Sequence, residues 1–294
     1  LSTAKVRQGN LSGLRIPICW GTDLVFSDEI PSLKDGEATV DAIFLCSGHG
    51  ASVTFMAENE VSDDVAVIDL SADFRDEHDD FVYGLPELQR ERIQEAVRIA
   101  NPGCFATSIQ LALLPLAKAG KLTDAVQVSA ITGSTGAGQA LVPTTGFTWR
   151  NNNVSIYKAF THQHLAEIRQ SLTQLDPDFS HAINFVPYRG DYTRGIMANV
   201  YTPFSGTLDE AKQLYKNYYG SHPFTHVSDA PIDVKQVVNT NKCLLHLEVH
   251  DGQLLITSII DNLTKGASGQ AVQNLNLVFG LPEDTGLRLK SVAF

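Results

Sequence analysis

No apolar run in this 294-residue chain reaches the length needed to cross a bilayer, and no signal peptide is legible, so the cytoplasm is the expected location. Positive charge is scarce: 22 Lys and Arg stand against 33 Asp and Glu, a formal net charge of −11. That balance argues against a nucleic-acid or anionic-membrane surface, and it leaves any phosphate-bearing ligand dependent on local cationic pockets. Cysteine is sparse too. Cys19, Cys46, Cys104 and Cys243 are scattered, with neither paired metal-ligand spacing nor a disulfide framework, so no metal site is expected. There is no repeat, low-complexity tract or coiled coil. There is also no G-x-G-x-x-G turn, the strand–glycine–helix opening with which a dinucleotide-binding domain cradles a pyrophosphate. What remains, at 43% hydrophobic and 19% charged, suffices for a real core and two domains.

The most informative segment is Ala100-Asn101-Pro102-Gly103-Cys104-Phe105-Ala106-Thr107. The short run Val97-Arg98-Ile99-Ala100 feeds a strand into a Pro-Gly turn, and the apolar run from Phe105 to Ala119, stopped by Gly120, predicts a buried helix. A thiol in the first turn of that helix faces unpaired N–H groups and the positive dipole end, which lowers its pKa. Cys104 is therefore read either as a nucleophile or as a small core residue.

Upstream, Ala42–Cys46 and Ala66–Leu70 read as compact strands around a short helix over 53–59, a β-α-β grammar. Ser47, Gly48 and Gly50 form a small-residue loop at a strand's carboxyl end, where open sheets bind ligands; His49 within it reads as structural. Ser71 and Asp73 after the next strand suit either turn capping or cofactor contact. Downstream, Ala125–Thr132 is a strand closing on Gly133-Ser134-Thr135-Gly136-Ala137-Gly138, a Gly-rich loop without the Lys-Ser/Thr of a P-loop. Amphipathic helices are expected from near Thr161 and over 208–219. Alternating Leu245, Leu247 and Val249, then Asp251-Gly252 and the run 254–260, predict an antiparallel hairpin. The fold class is α/β: a Rossmann-like dinucleotide-binding domain, incomplete at its N-terminus, plus an α+β catalytic domain with a mixed or antiparallel sheet. His162 and His164 form a His-x-His pair without a third metal ligand of matching spacing. Gln110 reads as a buried hydrogen-bonding residue.

Asn101-Pro102-Gly103-Cys104 resembles the catalytic motif of the N-acetyl-γ-glutamyl-phosphate reductases. Further matching segments follow in the family's order: Asp69–Arg75, Tyr83–Glu87, Thr132–Gly138, His162-Gln163-His164 with Glu167-Ile168, Arg194-Gly195-Ile196, and Asp261–Gly266. The resemblance runs from about Gly21 to the C-terminus. It implies a cofactor domain over 1–103 and 263–294, with the first strand, glycine turn and first helix absent, and a catalytic and dimerisation domain over 104–262. The last helix, from Ala267 to Val278, would return to the cofactor domain.

The resemblance also implies an activity: NADPH-dependent reduction of an acyl phosphate to a semialdehyde through a thioester on Cys104, in arginine biosynthesis. An acid/base histidine stands against the cysteine, with His162 the first choice and His164 the second. Arg194, with Arg189 as alternative, would clamp substrate phosphate or carboxylate, with Ser134 beside it. NADP would be held by Ser2 and Thr3 at the 2′-phosphate (with Lys5), and by Ser47, Gly48, Ser71, Gly136, Gly138 and Asn262, the last at the nicotinamide amide. Lys265 would face phosphate or cap a helix. A homo-oligomer, dimer or tetramer, is expected. Sister readings are an aspartate- or aminoadipate-type semialdehyde dehydrogenase; a Cys/His thioesterase or a cofactor-free binding protein is the reading of a different class.

Overall fold

Short β-branched runs and long alternating runs sort into two sheets of different character. The computed structural model describes residues 29–138 and 142–292, so Ser2, Thr3 and Lys5 lie outside the described residues. Strands β1 (Ala42–Leu45), β2 (Ala66–Asp69), β3 (Val82–Tyr83) and β4 (Arg98–Ala100) form an all-parallel sheet in the order β1-β2-β4-β3. Parallel strands need both faces covered. Helix α1 (Ala51–Glu58) contributes Phe55 and Met56 to a cluster around Phe74 and Phe81, and α2 (Pro86–Gln94) contributes Ile93 to the other.

The second sheet has seven strands: β5 (Val126–Thr132), β6 (Ser155–Ile156), β7 (Ile183–Arg189), β8 (Ile196–Pro203), β9 (Thr225–Ser228), β10 (Cys243–His250) and β11 (Gln253–Ile260). Their order is β6-β7-β5-β8-β11-β10-β9. It is mixed, with β5 parallel to β7, β9 parallel to β10, and the other pairs antiparallel. Asp251 and Gly252 both have positive φ, 47° and 74°, the twist a two-residue hairpin turn requires. Along β5 and β8 alternate side chains are buried, so the sheet has one core face. That face is covered by α3 (Cys104–Lys118), α5 (His164–Leu175) and α6 (Leu208–Tyr219). Between β5 and β6 the chain makes an excursion containing the one-turn helix α4 (Phe147–Arg150).

Every residue of α3 from Phe105 to Ala117 is buried, as expected of a helix apolar all round. It starts at Cys104, one residue before the expected Phe105. The final helix α7 (Gly269–Val278) starts two residues later than expected, because Thr264–Ser268 winds as a π-helical turn. Ala271 and Leu277 of α7 pack on the parallel sheet, so the chain's last helix returns to its first strands.

Candidate active site

The strand-to-helix turn after β4 sets Cys104 as the first residue of α3, with Gly103 as the cap. Two glycines make the approach possible. A methyl group on Gly103 would sit 2.3 Å from Nε2 of His164, and one on Gly266 would sit 2.7 Å from the Cys104 Cβ. The cysteine is thus held between an imidazole and the π-helical turn. Asn101 locks the turn: its backbone N–H donates to Asp69 (2.7 Å), and its amide nitrogen donates to the Ala267 carbonyl (3.1 Å).

Beneath the turn lies a buried carboxylate with three donors. Glu167 Oε2 accepts from the Gly103 backbone N–H and the Tyr83 hydroxyl, both at 2.9 Å, and Oε1 accepts from Arg75 at 3.0 Å. Those donors, Arg75 foremost, hold its carboxyl below the usual range against the opposing effect of burial. Arg75 also donates to the carbonyls of Asn101 (2.9 Å) and Leu70 (3.2 Å), tying the loop after β2 to the cysteine's turn. Gln110 donates to Tyr83 (2.8 Å) and accepts from Ser171 (2.9 Å), the buried hydrogen-bonding role expected of it. Sequence reasoning gave no role to Arg75, Tyr83 or Glu167; the only signal was their place in the quoted motifs.

His162 and His164 both turn inward, their rings 4.5 Å apart. Residues two apart on a helix would diverge, but α5 begins only at His164, so His162 lies on the approach. His162 Nδ1 accepts from the His164 backbone N–H (3.2 Å), and its ring packs edge-on against Phe105, Tyr157 and Phe185. His164 presents Nε2 toward Gly103 and lies 3.8 Å from Glu167 Oε1; its Nδ1 is buried without a partner. Burial pulls both imidazoles down, His162 to about 3 and His164 to about 4, so each is neutral at pH 7.

The expected lowering of the Cys104 pKa is reversed. Burial pushes the thiol up to about 11, although the Phe105 N–H and the Arg75 guanidinium pull the other way.

Arg194 is anchored rather than free. It grips the fully buried Asp261 through Nη2 (2.8 Å) and Nε (3.4 Å), and Nη2 also donates to Thr264 (3.0 Å). Arg189 lies 4.4 Å above the Tyr157 ring, and its Nε is buried without a partner. Ser134 is half-buried on the Gly-rich loop, where its backbone N–H donates to Tyr192 (2.7 Å). Gly136 and Gly138 are exposed, the latter with φ +74°. Asn262 does not face open space: its oxygen accepts from Gly195 N–H (2.7 Å) and its nitrogen donates to Thr135 (3.0 Å), pinning the Gly-rich loop beside the π-helical turn. Lys265 neither faces phosphate nor caps a helix. It is wholly buried in an ion pair with Glu87 (2.8 Å), with Gln273 as second partner.

At the carboxyl ends of β1 and β2, Ser47 and Gly48 are exposed, with open space around Gly48 and Gly50. Ser71 is buried and engaged within its own turn. Its hydroxyl donates to Asp69 (2.6 Å) and accepts from the Asp73 N–H (3.0 Å). Asp73 in turn accepts from the N–H groups of Gly50, Ser52 and Val53, so a carboxylate fills the N-terminus of α1. His49 accepts from Ala72, the structural role expected.

Comparison with known proteins gives the same architecture. A family model described as the NAD binding domain of semialdehyde dehydrogenase matches residues 17–96, and one described as its dimerisation domain matches 104–262. The chain is 55% identical over 274 residues to the N-acetyl-gamma-glutamyl-phosphate reductase of Christiangramia forsetii, covering 92% of this chain and 85% of that protein. It is likewise 55% identical over 276 residues to the protein of that name from Bacteroides thetaiotaomicron, covering 93% and 84%. Among solved structures, aspartate semialdehyde dehydrogenase II from Vibrio cholerae shares the fold, with a TM-score of 0.64 at 19% identity over 82% of this chain and 80% of that one.

Proposed function

The chain belongs to the N-acetyl-γ-glutamyl-phosphate reductase family, and we propose that its catalytic step is a thioester exchange at Cys104 with His164 as proton acceptor. The activity is that of the family: a nicotinamide-dependent reduction of N-acetyl-γ-glutamyl phosphate to the 5-semialdehyde in arginine biosynthesis. The name carried by relatives such as those of Christiangramia forsetii (55%) and Flavobacterium johnsoniae (51%) favours this reading over the aspartate, aminoadipate and cofactor-free ones. The observation that carries the assignment of roles is the placement of His164 Nε2 against Gly103, directly before the cysteine.

Both groups are neutral at rest, so the thiol must lose its proton as it attacks. Sulfur bonds the acyl carbon as the thiol proton passes to His164, and the phosphate leaves with the electron pair of its C–O bond, taking up one proton from solvent to become hydrogen phosphate. NADPH, when bound, supplies hydride to the acyl carbon. The C–S bond then breaks, the aldehyde leaves, and His164 returns its proton to the thiolate. His162 acts through packing and through its acceptance of the His164 N–H. Backbone N–H groups at the start of α3 can meet oxyanion charge. Arg189, with donor capacity unspent beside Tyr157, is the better candidate for the substrate's phosphate or carboxylate, and Arg194 the second. Ser134, Gly136 and Gly138 would line the same side.

Ser47 and Gly48 would hold the cofactor's nicotinamide half. Preference for NADP would rest on Ser2 and Thr3. We read the chain as two domains, 1–103 with 263–294 and 104–262, and as a cytoplasmic homo-oligomer. Steady-state NADPH oxidation with the acyl phosphate tests this scheme. Cys104→Ser should fold normally yet lose activity by several orders of magnitude, and the native enzyme, quenched with substrate alone, should carry the acyl mass on Cys104. Near-native turnover in that variant refutes it.

A further inference from the structure

The charges around the reacting sulfur cancel in pairs. Arg75 is bonded to Glu167 (3.0 Å), Lys265 to Glu87 (2.8 Å) and Arg194 to Asp261 (2.8 Å), and both imidazoles are neutral at pH 7. The substrate brings about three negative charges: close to two on its phosphoryl group and one on its carboxylate. A chain of net charge −11 repels such an anion, so local cations must meet it.

Two basic groups beside the histidines make no ion pair among the described residues. Arg189 lies over the Tyr157 ring (4.4 Å), and Lys158 is the next residue along the chain from Tyr157. Both positive charges help to pull the His162 imidazole down, and Lys158 acts on His164 as well. Arg150, by contrast, is buried and directs its donors to three carbonyls and the Ser155 hydroxyl.

Lys158 is presented by a strained turn. Its φ is +46° and that of Phe160 is +61°, left-handed values that a residue with a side chain adopts only where its neighbours over-determine them. Here the Tyr157 N–H donates to the Pro187 carbonyl (3.2 Å), the Phe160 N–H to the Phe185 carbonyl (2.8 Å), and the Thr161 N–H back to the Lys158 carbonyl (3.1 Å). The Lys158 side chain is exposed, and its ammonium donates to Oε1 of Gln163 (2.9 Å), the residue between the two histidines. That bond occupies one of the ammonium's three donors and leaves the others for a ligand.

We propose that Lys158 holds the phosphoryl group of the substrate and follows it as the phosphate leaves, while Arg189 takes the carboxylate. This rests on the acyl-phosphate reading above. The phosphoryl oxygen is bonded to the very carbon that sulfur attacks, so the group lies against the imidazoles on which Lys158 acts. The carboxylate is separated from that carbon by three others. A point charge on a flexible stem suits a group with three equivalent oxygens that must depart into water, whereas the planar fork of Arg189 suits a carboxylate that stays in place. Negative charge gathering on the leaving oxygen is then met by a fixed cation.

The reverse reaction separates the two anion sites, because it takes inorganic phosphate and the semialdehyde as different substrates. The aldehyde carbon gives hydride to NADP, phosphate displaces the thiol from the acyl carbon, and acyl phosphate, NADPH and one proton are released. Initial rates of NADPH formation at alkaline pH, which draws a proton-releasing reaction forward, are the test. Lys158→Gln should raise KM for phosphate about 10–100-fold, the loss of a charge-assisted hydrogen bond, and leave KM for the semialdehyde and for NADP unchanged. Lys158→Arg keeps the charge and should recover most of the phosphate affinity. Lys118→Gln removes the same charge from the exposed far end of α3 and should leave the phosphate KM where it was. Should the glutamine variant fail to fold, Lys158→Asn replaces it, since Asn accepts a positive φ. A native chain that forms no NADPH from semialdehyde, NADP and phosphate overturns the acyl-phosphate reading together with this one. With the native chain active, an unchanged phosphate KM in Lys158→Gln, a rise shared by all three substrates, a rise confined to the semialdehyde, or an equal rise in Lys118→Gln overturns the role of Lys158 alone.

Discussion

The reversal at Cys104 makes the sharpest test of the site. With a pKa near 11, the thiolate fraction at pH 7 is about 10⁻⁴, against about 10⁻² for a thiol at the reference value of 9.0. Iodoacetamide reacts with the thiolate, so labelling of Cys104 should run about 100-fold slower at pH 7 than for a solvated cysteine. Its rate should climb tenfold per pH unit without a plateau until the pH approaches 11. Peptide mass spectrometry separates Cys104 from Cys46 and Cys243, whose pKa values are also raised by burial. A second arm uses the charges that face the sulfur. Arg75 lowers the thiol pKa and Glu167 raises it. Glu167→Gln removes a negative charge and keeps the side chain's size, so labelling at pH 7 should quicken, provided circular dichroism shows the fold intact. A native labelling rate that levels off below about pH 8 would mean a preformed thiolate–imidazolium pair, and would refute the neutral resting state with the proton route built on it.

Four further outcomes follow from the same geometry. His164→Gln should lower kcat by about 10²–10⁴-fold, the range for a lost acid/base group, while His162→Gln should cost less; equal losses would reassign the pair. Both imidazoles are held below 6.5, so the unfolded chain binds more protons than the folded one under acid; stability to urea should be full above about pH 6.5 and fall as the pH drops toward 4, by on the order of 3 kcal/mol from His164. Lys265→Met strands the buried Glu87 carboxylate and should cost about 3–5 kcal/mol in denaturant titration. Gly103→Ala must displace the His164 ring, and should abolish turnover at pH 7 in protein that still melts cooperatively.

Local signals made much of the fold legible. The apolar run after Cys104 could only be a buried helix, and the Asp251-Gly252 pair between alternating strands fixed a hairpin register that the structure shows as Cys243 opposite Ile260. The site was legible as a set of segments and illegible as a geometry. Arg75 and Glu167 lie 92 residues apart and meet under the cysteine's turn, a contact no local pattern encodes. Ser71 and Asn262 were suitable in type for cofactor contact, but tertiary packing had already engaged their polar atoms. The two histidines were ranked by motif position, whereas their roles depend on where α5 begins.

The direction of the thiol's shift was misread because only one of two opposed effects is visible in a sequence. A helix N-terminus stabilises an anion by about 0.3–1 kcal/mol, and up to about 2 where partly buried, equivalent to roughly one pKa unit. Fully burying an ionisable group can move it by about 3–5 units the other way. At Cys104 the charges that might reinforce the dipole are paired off. Arg75 is bonded to Glu167, so the sulfur faces a neutral pair whose members act on it in opposite senses. Lys265, one residue from the glycine that touches the cysteine, is neutralised by Glu87. Two buried ion pairs thus bracket the turn and supply rigidity without net field. With the dipole alone against burial, burial wins, and the nucleophile rests as a thiol until a neighbouring neutral imidazole takes its proton.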